Sequence, residues 1–448
     1  MDQPAATELH SRRHAALALI YVTVVLDMLA FGIIIPVLPH LVQQLAGGGT
    51  SNAAWWVGVF GTVFAAVQFA FSPVQGALSD RFGRRPVILI SNAGLALNFV
   101  LLALAPTLWL LFAARVLLGM TAASFSTANA YIADITPKEK RAAAYGILGS
   151  AFGLGFIIGP GVGSFLGSMH LRLPFWVAAA LAACNFLYGL FVLPESLPKE
   201  RRTPRFELHS AHPLGSLALL RRYPLVLGLA LVMFLVYLAH YVLQTTFVLY
   251  ADYRYHWGIA IVGPVLMLVG ACDGLVQAVL TRRLAPRLGE RRLMLVGMVC
   301  GIAAFLVMGL ADQGAVFLLG IPLMALWGLS GPPIQSLMTH QVDPGEQGRL
   351  QGAITSLSSF AGIFGPFLFA QVFSLSISPA SPIHLPGLAF VLSAVLLAAG
   401  TVIALRVTRH AHDLARPDEP VDATLPAELS SIVPIPTTPP TESPEQSP

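Results

Sequence analysis

Twelve times along this chain, about 20 or more residues pass with almost no charge. These runs lie near 15–42, 53–78, 86–105, 107–133, 142–168, 173–193, 223–250, 259–281, 292–311, 314–340, 350–375 and 385–406. A backbone inside a bilayer must satisfy its own hydrogen bonds, and for apolar runs of this length the helix is the solution. Only 11% of the residues are charged, against about 25% in a soluble domain. The expected fold class is an all-α membrane protein with twelve transmembrane helices. Arg12, Arg13 and His14 precede the first run, which is too long for a removable signal and lacks a small-residue cleavage site, so it is expected to stay. Of the 26 Lys and Arg, all but Arg115, Arg172 and Arg254 fall in the tails or in the loops that follow even-numbered runs. By the positive-inside rule both termini are then cytoplasmic. The net charge of +4 reports this topology and contact with anionic lipids, and gives no support for nucleic-acid binding. Cys184, Cys272 and Cys300 lie inside runs without metal-ligand spacing and read as small apolar residues.

Between the second and third runs stands Gly76-Ala-Leu-Ser-Asp80-Arg81-Phe-Gly83-Arg84-Arg85-Pro86. Flanked by apolar runs, it must be the turn of a helical hairpin at the water. Gly76 is expected to let one helix end approach its neighbour. Asp80 is placed to accept from backbone N–H groups or from an arginine at a nearby helix end, and Gly83 supplies positive φ. Arg81, Arg84 and Arg85 face the cytoplasm, and Pro86 opens the next helix. The stretch resembles the loop motif between helices 2 and 3 of the major facilitator superfamily.

Charge within a span is costly and marks function. Asp27 lies roughly 18 Å into the first run by helical rise, close to the midplane. In the fourth run Arg115 lies about 12 Å below the outer surface, and Asn129 follows after nearly four turns, on the same face of a continuous helix. Asp27 is the one deep acidic residue of the first half and is expected to pair with Arg115, directly or through water. Arg115-Val-Leu-Leu-Gly119 also resembles the fourth-helix motif of proton-coupled members of the superfamily. Asp273 is a second buried carboxylate, with Gln277 one turn away. Charged, it would attract cationic substrates; titrating, it would add a proton site. Asp27, Arg115 and Asp273 form the candidate proton-coupling set, although a structural contact between helices is the competing reading for either carboxylate. Gln68, Asn98, Asn129, Tyr237, Tyr241, Gln244, Gln277 and Gln335 are the candidate substrate lining. Of these, Tyr237, Tyr241 and Gln244 share one helical face. Pro36 and Pro39 are expected to kink the first helix.

The fifth run carries Gly153-Leu-Gly155-Phe-Ile-Ile-Gly159-Pro160-Gly161-Val-Gly163. A dinucleotide-binding turn needs a strand before it, and this stretch lies inside an apolar helix. Small residues three or four apart instead flatten a face for close packing, and Pro160 bends the axis. The pattern resembles the fifth-helix motif of the antiporter branch. Residues 194–222 form a long polar connection, and at an offset of 206 residues Arg81, Gly83 and Arg85 recur as Arg287, Gly289 and Arg291. At the same offset Gly146, Gly159 and Pro160 recur as Gly352, Gly365 and Pro366. One offset from two regions marks a duplication. The expected organisation is a cytoplasmic N-tail at 1–14, a six-helix bundle at 15–193, a linker at 194–222, a second bundle at 223–406 and a disordered tail at 407–448, with a cavity between the bundles. The proline-rich and acidic tail lacks the apolar residues to fold.

The likeness spans roughly 15–406 and is strongest to the tetracycline/proton antiporters, through Leu26-Asp27, Ile35-Pro36-Val-Leu-Pro39, Tyr131-Ile-Ala-Asp134-Ile-Thr, Ser150-Ala-Phe-Gly-Leu-Gly155 and Leu350-Gln-Gly352. It departs from them at Asn98, where they have an acidic residue, at Gly301, where they have an aspartate, and at Asp273, where they have a histidine. The resemblance implies a monomeric, proton-coupled exporter of drug-like amphiphiles in a bacterial-type inner membrane, powered by the proton gradient with no cofactor or metal. The implied partners are the small-molecule substrate, protons and lipid. An importer of a small polar metabolite, or a non-transporting membrane sensor, are the alternatives. No nucleophile, base and orienting group converge, so an enzyme is not expected.

Overall fold

The computed structural model describes residues 3–137, 140–203, 215–379, 381 and 384–414. Most of the expected C-terminal tail and the middle of the linker lie outside these residues. The helices are α1 (Gln3–Ile34), α2 (Leu38–Ala46), α3 (Gly49–Phe82), α4 (Arg84–Leu104), α5 (Leu108–Thr121), α6 (Ser124–Ile135), α7 (Arg141–Met169), α8 (Leu173–Phe191), α9 (Pro224–Tyr255), α10 (Ile259–Leu275), α11 (Thr281–Leu310), α12 (Gly314–Trp327), α13 (Gly331–His340), α14 (Gln347–Ser376) and α15 (Leu388–Leu414). No strand occurs among the described residues. Trp109, Phe165, Phe191 and Leu319 are more than half exposed, an apolar surface suited to lipid rather than water.

Eleven helical stretches of the described residues are long and apolar enough to cross a membrane, and one of them, Ile259–Leu310, runs for 52 residues. That is about 78 Å of helix, more than twice the hydrocarbon core. It joins α10 to α11 through a π-helical turn at Val276–Leu280 and breaks at Gly289, where φ is 72° and ψ 164°. The break divides it into arms 259–288 and 290–310, which contain the two runs read from the sequence. Gly83, its counterpart in the first half, has φ 106° and ψ 165° and separates α3 from α4. A side chain at either position would be strained.

The duplication recurs in other irregularities. The fourth run is broken between α5 and α6 at Ala122–Ala123, and 206 residues later the tenth is broken at Gly328–Ser330, between α12 and α13. Pro160 lies inside α7 and Pro366 inside α14. The expected kink near Pro36 is a full interruption. Ile35 N–H bonds back to Gly32 and Val37 N–H to Ile34, and α2 restarts beyond, with Pro39 in its first turn. Proline cannot donate to the helix ladder and excludes the helical conformation just before it.

Two helical bundles result, one from each half of the chain. In the first, α1 lies on α7, α4 on α8 and α3 on α5; in the second, α9 lies on α14 and α11 on α12. The bundles meet along α3 with α14 and α7 with α10. The seam of α1 on α7 is backbone against backbone: a Cβ at Gly159 would lie 2.6 Å from Gly32 Cα, one at Gly155 2.6 Å from the carbonyl carbon of Met28, and one at Gly163 3.0 Å from Ile33 Cα. Gly76 does not have the close-packing role expected of it, because nothing lies within 4 Å of a Cβ built there.

Candidate functional site

Asp27, on α1, is 3% exposed. One carboxylate oxygen accepts from Ser124 Oγ, at the first residue of α6, and the other from Asn185 Nδ2 of α8 at 2.7 Å. Asn92 of α4, with its amide turned to satisfy the network, donates to both oxygens at 3.2 Å. Asn92 and Asn185 are fully buried. Four helices therefore converge on one carboxylate, and their donors replace the water that a charge at this depth has lost.

The expected pairing of Asp27 with Arg115 is not made. Arg115, on α5, is 8% exposed, and among the described residues its guanidinium forms no hydrogen bond or ion pair; Nε and Nη2 are both buried without a partner. It lines a cavity of about 280 Å³ between the bundles. The pairing was drawn from depth along two helices, whereas direction around the helix decides which groups meet. The break at Ala122–Ala123 also undoes the continuous face expected to join Arg115 to Asn129. Asn129 bonds to Phe125 O in its own helix at 3.0 Å and does not line the cavity. Three polar side chains hold the break in place: Gln68 Nε2 donates to Ala122 O at 3.4 Å, Gln75 Nε2 to Met120 O at 2.6 Å, and Ser91 Oγ accepts from Ala123 N–H at 3.1 Å.

Of the expected lining, Gln68, Tyr241 and Gln244 reach the cavity, with Arg115 and Thr245 as further polar walls among Phe31, Phe60, Phe64, Phe99, Phe156 and Phe247. Tyr241 packs on Gly362 and Gly365 of α14. The other expected lining residues lie elsewhere. Tyr237 is half-buried outside the cavity. Asn98 is fully buried with neither polar atom partnered. Gln277 bonds to Gly328 O at 3.2 Å, and Gln335 to Gln351 at 3.2 Å. Asp273 was expected to face the cavity but stands at Gly328, where a Cβ would lie 3.0 Å from its Oδ1. Ser124, Asn92 and Asn185 were missed. The two asparagines were findable as amides deep in apolar runs, whereas a serine in a small-residue stretch carries no such signal.

At the arginine-rich turn, Arg84 bridges Asp80 at 2.5 Å and Asp134 at 3.0 Å. Glu195 accepts from the N–H groups of Arg84 at 2.8 Å and Arg85 at 3.3 Å, and Arg85 Nε donates to Gly189 O at 3.2 Å. Arg81 lies over the Phe82 ring at 5.3 Å. These contacts of Asp80, Arg84 and Arg85 stay within the first bundle and the start of the linker. Among the described residues, hydrogen bonds between the bundles lie at the opposite end, Gln43 to Asp252 and Ser51 to Ser374, and near mid-span, Thr62 to Ile363. Toward the arginine-rich end, Gly146, Gly149, Gly153 and Gly274 have nothing within 4 Å of a Cβ.

Comparison with known proteins fits this architecture. The family model of the Major Facilitator Superfamily matches residues 20–366. The class C tetracycline resistance protein of Escherichia coli is 35% identical over 85% of this chain and 94% of its own length. Major facilitator superfamily domain-containing protein 10 of Bos taurus is 28% identical over 80% of this chain and 87% of its own. The crystal structure of the human organic anion transporter MFSD10 superposes with a TM-score of 0.65 at 25% identity, covering 88% of this chain and 99% of that one. The nucleoside transporter NupG shares the fold at a TM-score of 0.72 and 14% identity. A family match over most of the chain, and a relative above 30% identity along nearly its whole length, make this protein a member of the Major Facilitator Superfamily of membrane transporters, with tetracycline resistance proteins among its relatives.

Proposed function

We propose that the protein exports amphiphilic small molecules in exchange for protons, by alternating access, as a monomer in a bacterial-type inner membrane with both termini cytoplasmic. The carrying observation is Asp27, a titratable group without an ion-pair partner, buried among Ser124, Asn185 and Asn92. Relatives named for tetracycline resistance and for organic anion transport both point to small organic cargo. The orientation comes from the arginine-rich loops, and in that orientation contacts between bundles close the outer end while the inner end stands apart.

Ionised Asp27 draws charge-assisted hydrogen bonds from α4, α6 and α8 to α1. Protonation removes that charge and weakens the bonds by about 1 kcal/mol each, enough together to shift a two-state equilibrium between inward-open and outward-open forms. Protonation of Asp27 does not act by releasing Arg115, since Asp27 does not hold it. The test is flux in proteoliposomes under an imposed pH gradient. Asp27→Asn keeps the shape and one acceptor oxygen but cannot titrate, so proton-driven efflux is expected to vanish while the protein remains folded. Wild-type flux from that variant overturns the coupling role.

A further inference from the structure

A buried, charged guanidinium with no partner is a costly group. Arginine stays protonated in proteins, and burying an uncompensated charge is far more expensive than burying a paired one. Arg115 has no carboxylate, no carbonyl and no aromatic ring against its guanidinium among the described residues. The acidic side chain best placed by depth, Asp27, is taken up by its own donors. Arg115 is nevertheless part of the wall of the inter-bundle cavity, and no acidic residue lines that cavity.

Resting on the reading that this cavity holds the cargo, we infer that Arg115 is the receptor for an anionic group on it, a carboxylate, sulfonate or phosphate carried by an otherwise aromatic or aliphatic small molecule. The planar fork of the guanidinium matches such groups with paired hydrogen bonds. Phe60, Phe64, Phe99 and Phe247 supply an apolar wall for the body of the molecule, and Gln68 and Gln244 supply further donors. The volume, about 280 Å³, suits a compact ligand. A cationic cargo finds no counter-charge in this cavity, because Asp273, once the candidate for that task, stands outside it. The anion completes the site: it supplies the charge that the protein withholds from Arg115, so a cargo without that group leaves the guanidinium bare.

The test is calorimetric titration of the purified full-length protein in detergent, at a single pH, with naphthylacetate, its methyl ester and naphthylethylamine. The three share an apolar body and differ in charge. The acid is expected to bind about tenfold or more tighter than the ester, the scale of a hydrogen bond to a charged group, and the amine no better than the ester. Arg115→Gln is expected to level acid and ester. Arg115→Lys keeps the charge without the fork and is expected to retain only part of the preference, which holds the test open should Arg115→Gln not fold. An ester or amine that equals the acid overturns the inference. So does a preference that survives Arg115→Gln, or an acid that fails to bind at millimolar concentration. No proton gradient enters these titrations, so failure here leaves the Asp27 flux experiment standing, and failure there leaves this one.

Discussion

Asp27 and Arg115 show what a residue can and cannot disclose from its place in a sequence. Their depth follows from the count of apolar residues before them, and both are buried as that count implies. Their partners depend on the direction each side chain takes from its helix, which the count does not contain. Asp27 turns toward Ser124, Asn92 and Asn185, while Arg115 turns to the cavity wall. A prediction follows at this scale. Asn185→Leu removes the 2.7 Å donor and leaves a buried carboxylate oxygen without it, at an expected cost of about 1–3 kcal/mol. In the Asp27→Asn background no carboxylate remains to be solvated, so the same change should cost less. Thermal unfolding of the two single variants and the double variant in detergent measures the coupling; strictly additive losses would show that the asparagine does not serve the charge.

At the scale of the element, runs of apolar residues disclosed the helices, Gly83 disclosed one of their ends, and Pro36 disclosed a bend that is in fact a full interruption, because each acts through backbone geometry alone. The break at Ala122–Ala123 was not legible, since neither alanine breaks a helix; the hydrogen bonds of Gln68, Gln75 and Ser91 hold it from neighbouring helices. The glycine pattern of α7 was legible as a flat face, but the sequence did not say which glycines use it. Gly155, Gly159 and Gly163 meet α1, whereas Gly153 meets nothing. Gly159→Val would press a side chain onto the backbone of Gly32, which cannot yield, and is expected to destabilise by at least about 1–3 kcal/mol. Gly153→Ala has open space and removes a flexible helical glycine, so it should be neutral or raise stability by about 0.5–1 kcal/mol. Melting temperatures of the pair in one detergent decide the matter; similar losses at both positions would mean that the contact with α1 is not what α7 needs.

For the whole molecule, the 206-residue offset gave the duplication, and the structure repeats it in two positive-φ glycines, two interrupted helices and two embedded prolines. The charges are not repeated: the positions equivalent to Asp27 and Arg115 are Met233 and Ile321. Which end is closed lies outside what the sequence can say, since under the proposed alternating access one chain makes both arrangements. The closure is testable. Ser51 Oγ and Ser374 Oγ lie 2.8 Å apart across the bundles, so Ser51→Cys with Ser374→Cys should form a disulfide that stops transport until it is reduced; flux unaffected by a completed cross-link would show that this end need not open. One helix ties these scales together. On one side α7 meets Met28, the neighbour of Asp27, through the bare backbone of Gly155; on another, Pro160 and Ser164 bear on Gly263 of α10, in the opposite bundle. With no side chain of α7 to cushion the first contact and little space at the second, α7 is a push rod. A displacement of α1 caused by a proton at Asp27 should arrive at α10 without any charged group crossing between the bundles, and amide exchange around Gly263 should differ between the wild type and Asp27→Asn. Identical exchange there would mean that the rod is slack.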